Sequence, residues 1–344
     1  AQEGLQRLLV FSRFDAKVKE VEDALGLPHS VLGDCAAGTP SDTMPSPPAA
    51  PPPFAPTACT VENLQKIGTE LTGDQLPIDC RKKKLDADSD VVLPDMGGDK
   101  VDFTEASLLV SNSRVAIKSA VKARFRGATI AGKATGEETG EAAEKVGDIS
   151  FDEGDMTGAD FRKATLTTEG RLSGIVFRNA DLTGANFEEA SLAVTTPDDG
   201  NDDDSDINFD GSSLVGANFR KASLATEGYK AEIYLDDGNL TGAIFDEASI
   251  TTKGENADIE FDDAFMNGVS FKKASLATKG YGADIYLDDG NATGAIFDEA
   301  SITTMGDFAD IEFDDESMNG ASFKKASLAT EGKGAGIDFE DASM

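Results

Sequence analysis

The acidic side chains of this sequence carry most of the chemistry it offers. Asp236, Asp262, Asp288 and Asp314 recur every 26 residues, each opening a doublet such as Asp236-Asp237 or Asp262-Asp263. Glu232, Asp258, Asp284 and Asp310 stand four residues before them. Stacked carboxylates repel unless water, cations or a basic partner compensates. A hydrated face is the first reading and a partner face the second. Calcium, which suits clustered carboxylates, at Asp236, Asp262, Asp288 and Asp314 is the third.

Other chemistry is thin. His29 is the only histidine, so it would have to serve alone as imidazole base or ligand, and a His-rich zinc site is excluded. Cys35, Cys59 and Cys80 lack CxxC spacing, which argues against zinc. Gly127 to Ala134 nearly matches a phosphate-binding loop, but Ala134 stands where the Mg²⁺-binding hydroxyl belongs. Asp202-Asp203-Asp204-Ser205-Asp206 resembles a calcium loop with Ile207 in place of the required glycine, and a flexible acidic loop is preferred. Asn239 and Asn291 open glycosylation sequons that the repeat generates by itself. Thr226, Thr252, Thr278, Thr304 and Thr330 form a ladder. A flat threonine face can bind ice, but these are expected beside a corner among charges. No acid/base pair, nucleophile–base pair or cofactor cradle emerges, so neither an enzyme nor a cofactor is expected.

The elements that must position these residues divide by composition. The chain has 344 residues and a formal net charge of −33, which disfavours direct contact with nucleic-acid phosphates or anionic lipid. No stretch approaches the ~20 apolar residues of a membrane span. The first residue is Ala1, not Met, which reads as a processed terminus with any targeting peptide gone. Residues 1–39 form an amphipathic helix segment, with Leu5, Leu8, Phe14, Val18, Val21 and Leu25 on one face. That stripe is the expected partner-binding site. Residues 40–57 are a Pro-rich linker. Residues 58–100 hold a short helix capped by Thr60 and ending near Gly73, then a loop; together they are a possible cap. Cys59 and Cys80 bracket that helix. They are either two packed thiols or a disulfide closing a loop of about 20 residues, for about 3 kcal/mol.

From residue 101 to 344 repeats dominate. Phe161, Phe187, Phe219, Phe245, Phe271, Phe297 and Phe323 are spaced by 26 residues, with a single step of 32. Apolar positions fall five apart, as in Phe151, Met156, Phe161 and Leu166, with alanine two residues before many of them. Five matches neither a helix nor a flat strand. It matches a chain that turns a corner every five residues, so that four corners close a square coil. Coils stack about 4.8 Å apart, and nine make a rod roughly 43 Å tall. The isoleucines from Ile149 to Ile337 form a column expected to be wholly buried, and the phenylalanines should stack in register. Six further residues per unit, such as Ala225–Lys230, enlarge one corner into an extra sheet or a row of turns. Gly170, Gly228, Gly254, Gly280, Gly306 and Gly332 suit a turn with positive φ. After each aligned phenylalanine the charge alternates in sign, as in Arg220-Lys221, Asp246-Glu247, Lys272-Lys273 and Asp298-Glu299. That column reads as structural, its main use being to fix register.

Stretches such as Ala185-Asn186-Phe187-Glu188-Glu189 and Ala217-Asn218-Phe219-Arg220-Lys221 resemble the A-[D/N]-[L/F]-x-x motif of the pentapeptide-repeat family. The resemblance covers 148–344 well and 101–147 poorly. It implies an all-β solenoid, a right-handed quadrilateral β-helix, here with one enlarged corner and a helical N-terminal extension. It further implies a non-enzymatic scaffold or docking subunit of a larger protein complex, acting through residues 5–25. Family members of the thylakoid lumen suggest that compartment and a photosynthetic, membrane-associated assembly, with secreted or cytoplasmic placement as alternatives. Quinolone-resistance members resemble duplex DNA, so polyanion mimicry towards a topoisomerase-like basic partner is the rival reading. A calcium- or ice-binding repeat protein is the third. The last coil carries no capping helix, so a partner or second copy is expected to cover it.

Overall fold

The computed structural model describes residues 57–72, 75–98, 100–134, 147–197, 205–314, 317–340 and 342–343. The stripe from Leu5 to Leu25, His29, Cys35, most of the Pro-rich linker and Asp202–Asp204 lie outside the described residues.

A pentad ends in a corner because its fourth or fifth residue turns left-handed. Gly184, Gly216, Gly242 and Gly268 do so at one corner, with φ between +63° and +68°. Lys221, Glu247, Lys273 and Glu299 do so at another, with φ between +57° and +61°. Between corners lie four short extended stretches per coil, each paired in parallel with its equivalents above and below. Two of the four faces are ten-stranded parallel sheets. The short-strand sheet is built from pairs such as Ile233–Tyr234 and Ile259–Glu260. The long-strand sheet is built from five-residue strands such as Ser223–Glu227 and Ser275–Lys279. The other two faces are ladders of single bridges, for example Asn186↔Asn218↔Ile244. Of the six additional residues per unit, part lengthens the long strand and the rest forms the turn beyond it, as at Gly228–Glu232.

The interior follows the sequence pattern. Rings from Phe161 to Phe323 stack at 4.6–5.1 Å between successive coils. A second column, Phe151, Phe177 and Phe209, stacks at 4.5 and 4.8 Å and meets the first edge-on. Ile149, Ile175, Ile207, Ile233, Ile259, Ile285 and Ile311 are fully buried. Ile337 is not: it is 41% exposed.

Coils begin earlier than residue 101. Ile78–Asp79 pairs with Val101–Asp102, Lys84–Ala87 with the strand from Ser107, and Val91–Leu93 with Val115–Ile117. Residues 78–100 are therefore a coil rather than a loop. It lacks the Ala/Phe pentad marks and fills its interior with Leu85, Val91, Leu93 and Met96 instead. The helix before it is Val61–Gln65, with the Thr60 hydroxyl accepting from the Asn63 amide at 3.2 Å. It ends well before Gly73, as Ile67 and Leu71 bridge to each other. Leu64 and Ile67 are buried in the same apolar cluster as the first coil, so this segment covers that end of the stack. Cys59 and Cys80 are joined by a disulfide, Sγ–Sγ 2.01 Å, which ties the segment to the first coil.

Candidate functional site

The short strands place a single residue per coil outward between two acidic flanks. Outward along the sheet run Asn208, Tyr234, Glu260, Tyr286 and Glu312. One position before each isoleucine stand Asp206, Glu232, Asp258, Asp284 and Asp310; three positions after it stand Asp210, Asp236, Asp262, Asp288 and Asp314. Two acidic columns therefore flank this outward row.

Compensation for the stacked acids comes from the chain's own backbone. Asp258 Oδ1 accepts the Asp284 amide at 2.6 Å, and Asp284 Oδ1 accepts the Asp310 amide at 2.6 Å. Asp148 and Asp206 do the same for Gly174 and Glu232, at 2.7 and 2.9 Å. On the other flank, Asp288 accepts from Asp314 N and Asp314 from Glu340 N, both at 3.0 Å. Asp148, Asp206, Asp258, Asp284, Asp288 and Asp314 thus each bond the coil above, which accounts for an aspartate recurring where repulsion alone would forbid it.

The candidate calcium residues Asp236, Asp262, Asp288 and Asp314 stand one per coil along a column, with Asp288 and Asp314 each accepting an amide. The carboxylates that do converge are Glu232, Asp258 and Glu260, with one oxygen of each within 4.8 Å of the others. Glu260 carries no pentad mark and is missed by motif reading. Its signal is the 52-residue alternation of Tyr and Glu at the outward position.

Burial and like charge raise these acids together. Desolvation first, and Asp284 next to it, push Asp258 up to about 7. Desolvation and the neighbouring Asp262 and Asp314 push Asp288 up to about 6. Desolvation and four surrounding aspartates push Glu312 up to about 7. Glu260 is raised, chiefly by burial and then by the charge of Asp236; Asp236 is raised, chiefly by burial and then by the charge of Asp262. Buried Oδ1 atoms of Asp236 and Asp262 have no hydrogen-bond partner.

Other motifs resolve into structure. Thr252 and Thr278 are buried, and their hydroxyls donate to the Ala257 and Ala283 carbonyls; Thr304 does so to Ala309 at 2.6 Å. The threonine ladder faces inward, not among surface charges. In the near-match to a phosphate loop, Thr129–Lys133 is a long strand and Lys133 pairs with Glu169 at 2.7 Å. Alternating charges pair between coils, as Lys163–Glu189 at 3.1 Å and Arg220–Glu247 at 3.3 Å. No described helix is long and apolar enough to cross a membrane.

Of the comparisons with known proteins, the family model agrees with this geometry. A family model described as pentapeptide repeats matches in eight copies, with residues 168–193 matched. A search of curated proteins gives no match. Among solved structures, a trypsin-treated variant of QnrB1, a plasmid-mediated fluoroquinolone resistance protein, is similar at 16% identity and a TM-score of 0.26. The match covers 73% of this chain and 92% of that one. HetL, a pentapeptide-repeat protein involved in heterocyst differentiation regulation from the cyanobacterium Nostoc sp. strain PCC 7120, is similar at 17% identity and a TM-score of 0.20, covering 78% and 87%. Square coils with a corner every five residues, two parallel sheets and stacked phenylalanines, together with the matching family model, make this chain a pentapeptide-repeat protein.

Proposed function

We propose that this protein is a non-enzymatic scaffold or docking subunit of a larger protein assembly, with residues 5–25 as its adaptor. The observation that carries the reading is the fixed attachment of residues 57–72. Their helix is packed on the first coil and held there by Cys59–Cys80, directly after the Pro-rich linker in sequence. The apolar stripe Leu5, Leu8, Phe14, Val18, Val21 and Leu25 supplies the anchors that a repetitive, charged coil surface offers sparsely. A thylakoid-lumen location and a photosynthetic assembly belong to the same proposal, as does a partner or second copy seated on the last coil.

The acidic face from Asp206 to Asp314 favours the second reading, a polyanion mimic that holds a basic, topoisomerase-like partner. Removal of residues 1–57 separates the two. If the shortened chain folds but no longer co-purifies with its assembly, the adaptor reading stands. If it stays bound, in a complex that dissolves with salt, the acidic face holds the partner and the adaptor reading fails.

A further inference from the structure

One of the bridge-ladder faces carries an aromatic ring that its pattern does not call for. Along it run Asp181, Ser213, Asn239, Phe265, Asn291 and Ser317, one per coil and paired in parallel. Every member of that run except Phe265 is polar, and the Phe265 ring is 55% exposed. The coils on either side of it present Asn239-Leu240-Thr241 and Asn291-Ala292-Thr293, which are the chain's two Asn-x-Thr sequons.

The repeat accounts for an oxygen at these two positions, not for an amide. Asn239 Oδ1 accepts the Thr241 amide at 3.1 Å, and Asn291 Oδ1 accepts the Thr293 amide at 3.0 Å. Asp155 and Asp181 make the same turn, accepting from the Thr157 and Thr183 amides at 3.1 and 2.9 Å. An aspartate therefore suffices for the fold, and the Nδ2 of each asparagine is surplus to it. Neither Nδ2 donates a hydrogen bond among the described residues. Asn239 is exposed and Asn291 half-buried. The corner three residues further on is open: a Cβ on Gly242, Gly268 or Gly294 would meet nothing within 4 Å.

We propose that Asn239 and Asn291 carry N-linked oligosaccharides, and that Phe265 between them is the platform on which the first sugar of either rests. The coil spacing sets the two asparagines about 10 Å apart with the ring midway. Asn-x-Thr is the acceptor that an oligosaccharide transferase reads. In the transfer, Nδ2 attacks the anomeric carbon of an oligosaccharide carried on a polyprenyl diphosphate. The C–N bond forms and the C–O bond to the diphosphate breaks. The Nδ2 proton goes to a base of the transferase, and the polyprenyl diphosphate leaves with the bonding electrons. The sequon is used before the coils close, so the finished fold has only to leave the sugar room, which the open corner does. A pyranose has an apolar face of C–H groups that covers an aromatic face, and resting there it takes the Phe265 ring out of water. The Cys59–Cys80 disulfide agrees with passage through an oxidising compartment, where this transfer is made. The modification goes beyond the adaptor reading and does not depend on it.

The test begins with the full chain from native material, digested with a peptide-N-glycosidase, which releases the sugar and leaves aspartate. Peptide mass spectrometry should find that conversion at positions 239 and 291, and only after digestion. Conversion at either position supports the site, because either sugar reaches the ring; asparagine kept at both overturns it. The platform is tested on the full chain secreted by a eukaryotic host, as wild type and as Phe265→Ser, since the row accepts serine at 213 and 317. Digestion should lower the wild-type melting midpoint by a few degrees and leave that of Phe265→Ser unchanged. Both chains acquire the same aspartates, so the difference reads the ring alone. A midpoint that falls equally in both, or in neither, overturns the platform. Asn239→Asp combined with Asn291→Asp keeps the turn oxygens and should migrate as digested wild type. A sugar that remains on that double variant would lie elsewhere on the chain and overturn the assignment.

Discussion

Gly254, Gly280 and Gly306 show how tightly one coil seats on the next. A Cβ at Gly280 would lie 1.6 Å from the Gly254 carbonyl oxygen, and one at Gly306 the same distance from that of Gly280. Close approach, rather than a left-handed turn, excludes a side chain at these two positions. Gly280→Ala should therefore destabilise the chain by at least the ~1–3 kcal/mol of an overpacked interior. Urea denaturation measures this, and a variant as stable as wild type would contradict the backbone contact. Phe308 presents the converse case. It holds φ at +61° where Gly282 and Gly334 occupy the equivalent places, and its ring lies where a Cβ on Gly334 would be, within 2.9 Å. Nothing in the repeat pattern foretells an aromatic there, and it rests 5.5 Å from the ring of Tyr281.

Faces and columns are the level at which the sequence is most readable. Inward columns depend only on side-chain size and polarity, so the five-residue spacing of Phe, Leu and Ile suffices to place them. The coil at 78–100 escaped because Leu85, Val91 and Leu93 fill the same interior without alanine or phenylalanine to mark phase. The acid flanks were visible as a column, but their partners, main-chain amides one coil up, have no residue type and leave no trace in composition. The charge column was legible because both of its partners are side chains. Lys273–Glu299 and Lys325–Glu299, each at 3.9 Å, place one acid between two cations. Replacing Lys272 and Lys273 together by Glu should cost ~0.2–1 kcal/mol for each exposed pair lost, and more for the repulsion installed. The loss should shrink in high salt. Thermal unfolding in low salt that does not change would count against the ladder.

Across the whole stack, stability is a sum over neighbouring coils, and the two ends differ. The first coil is covered by Val61–Gln65 and its disulfide. Phe323, Leu328 and Phe339 in the last coil are only partly buried. Opening should start there, so amides of Ser327–Glu331 should exchange with solvent markedly faster than those of Ser275–Lys279. Equal protection in both strands would show that something seals the end. The alternation carries one last consequence. In the four coils from Ile233 to Phe313, charge sign after each phenylalanine, Tyr against Glu on the outward row, and Leu against Phe beneath it all change together from one coil to the next. The smallest piece of gene that can be duplicated or lost without setting like against like is therefore two coils, 52 codons. Such a chain grows and shrinks in pairs, and lineages carrying one coil more or fewer would bear a fault line at the join.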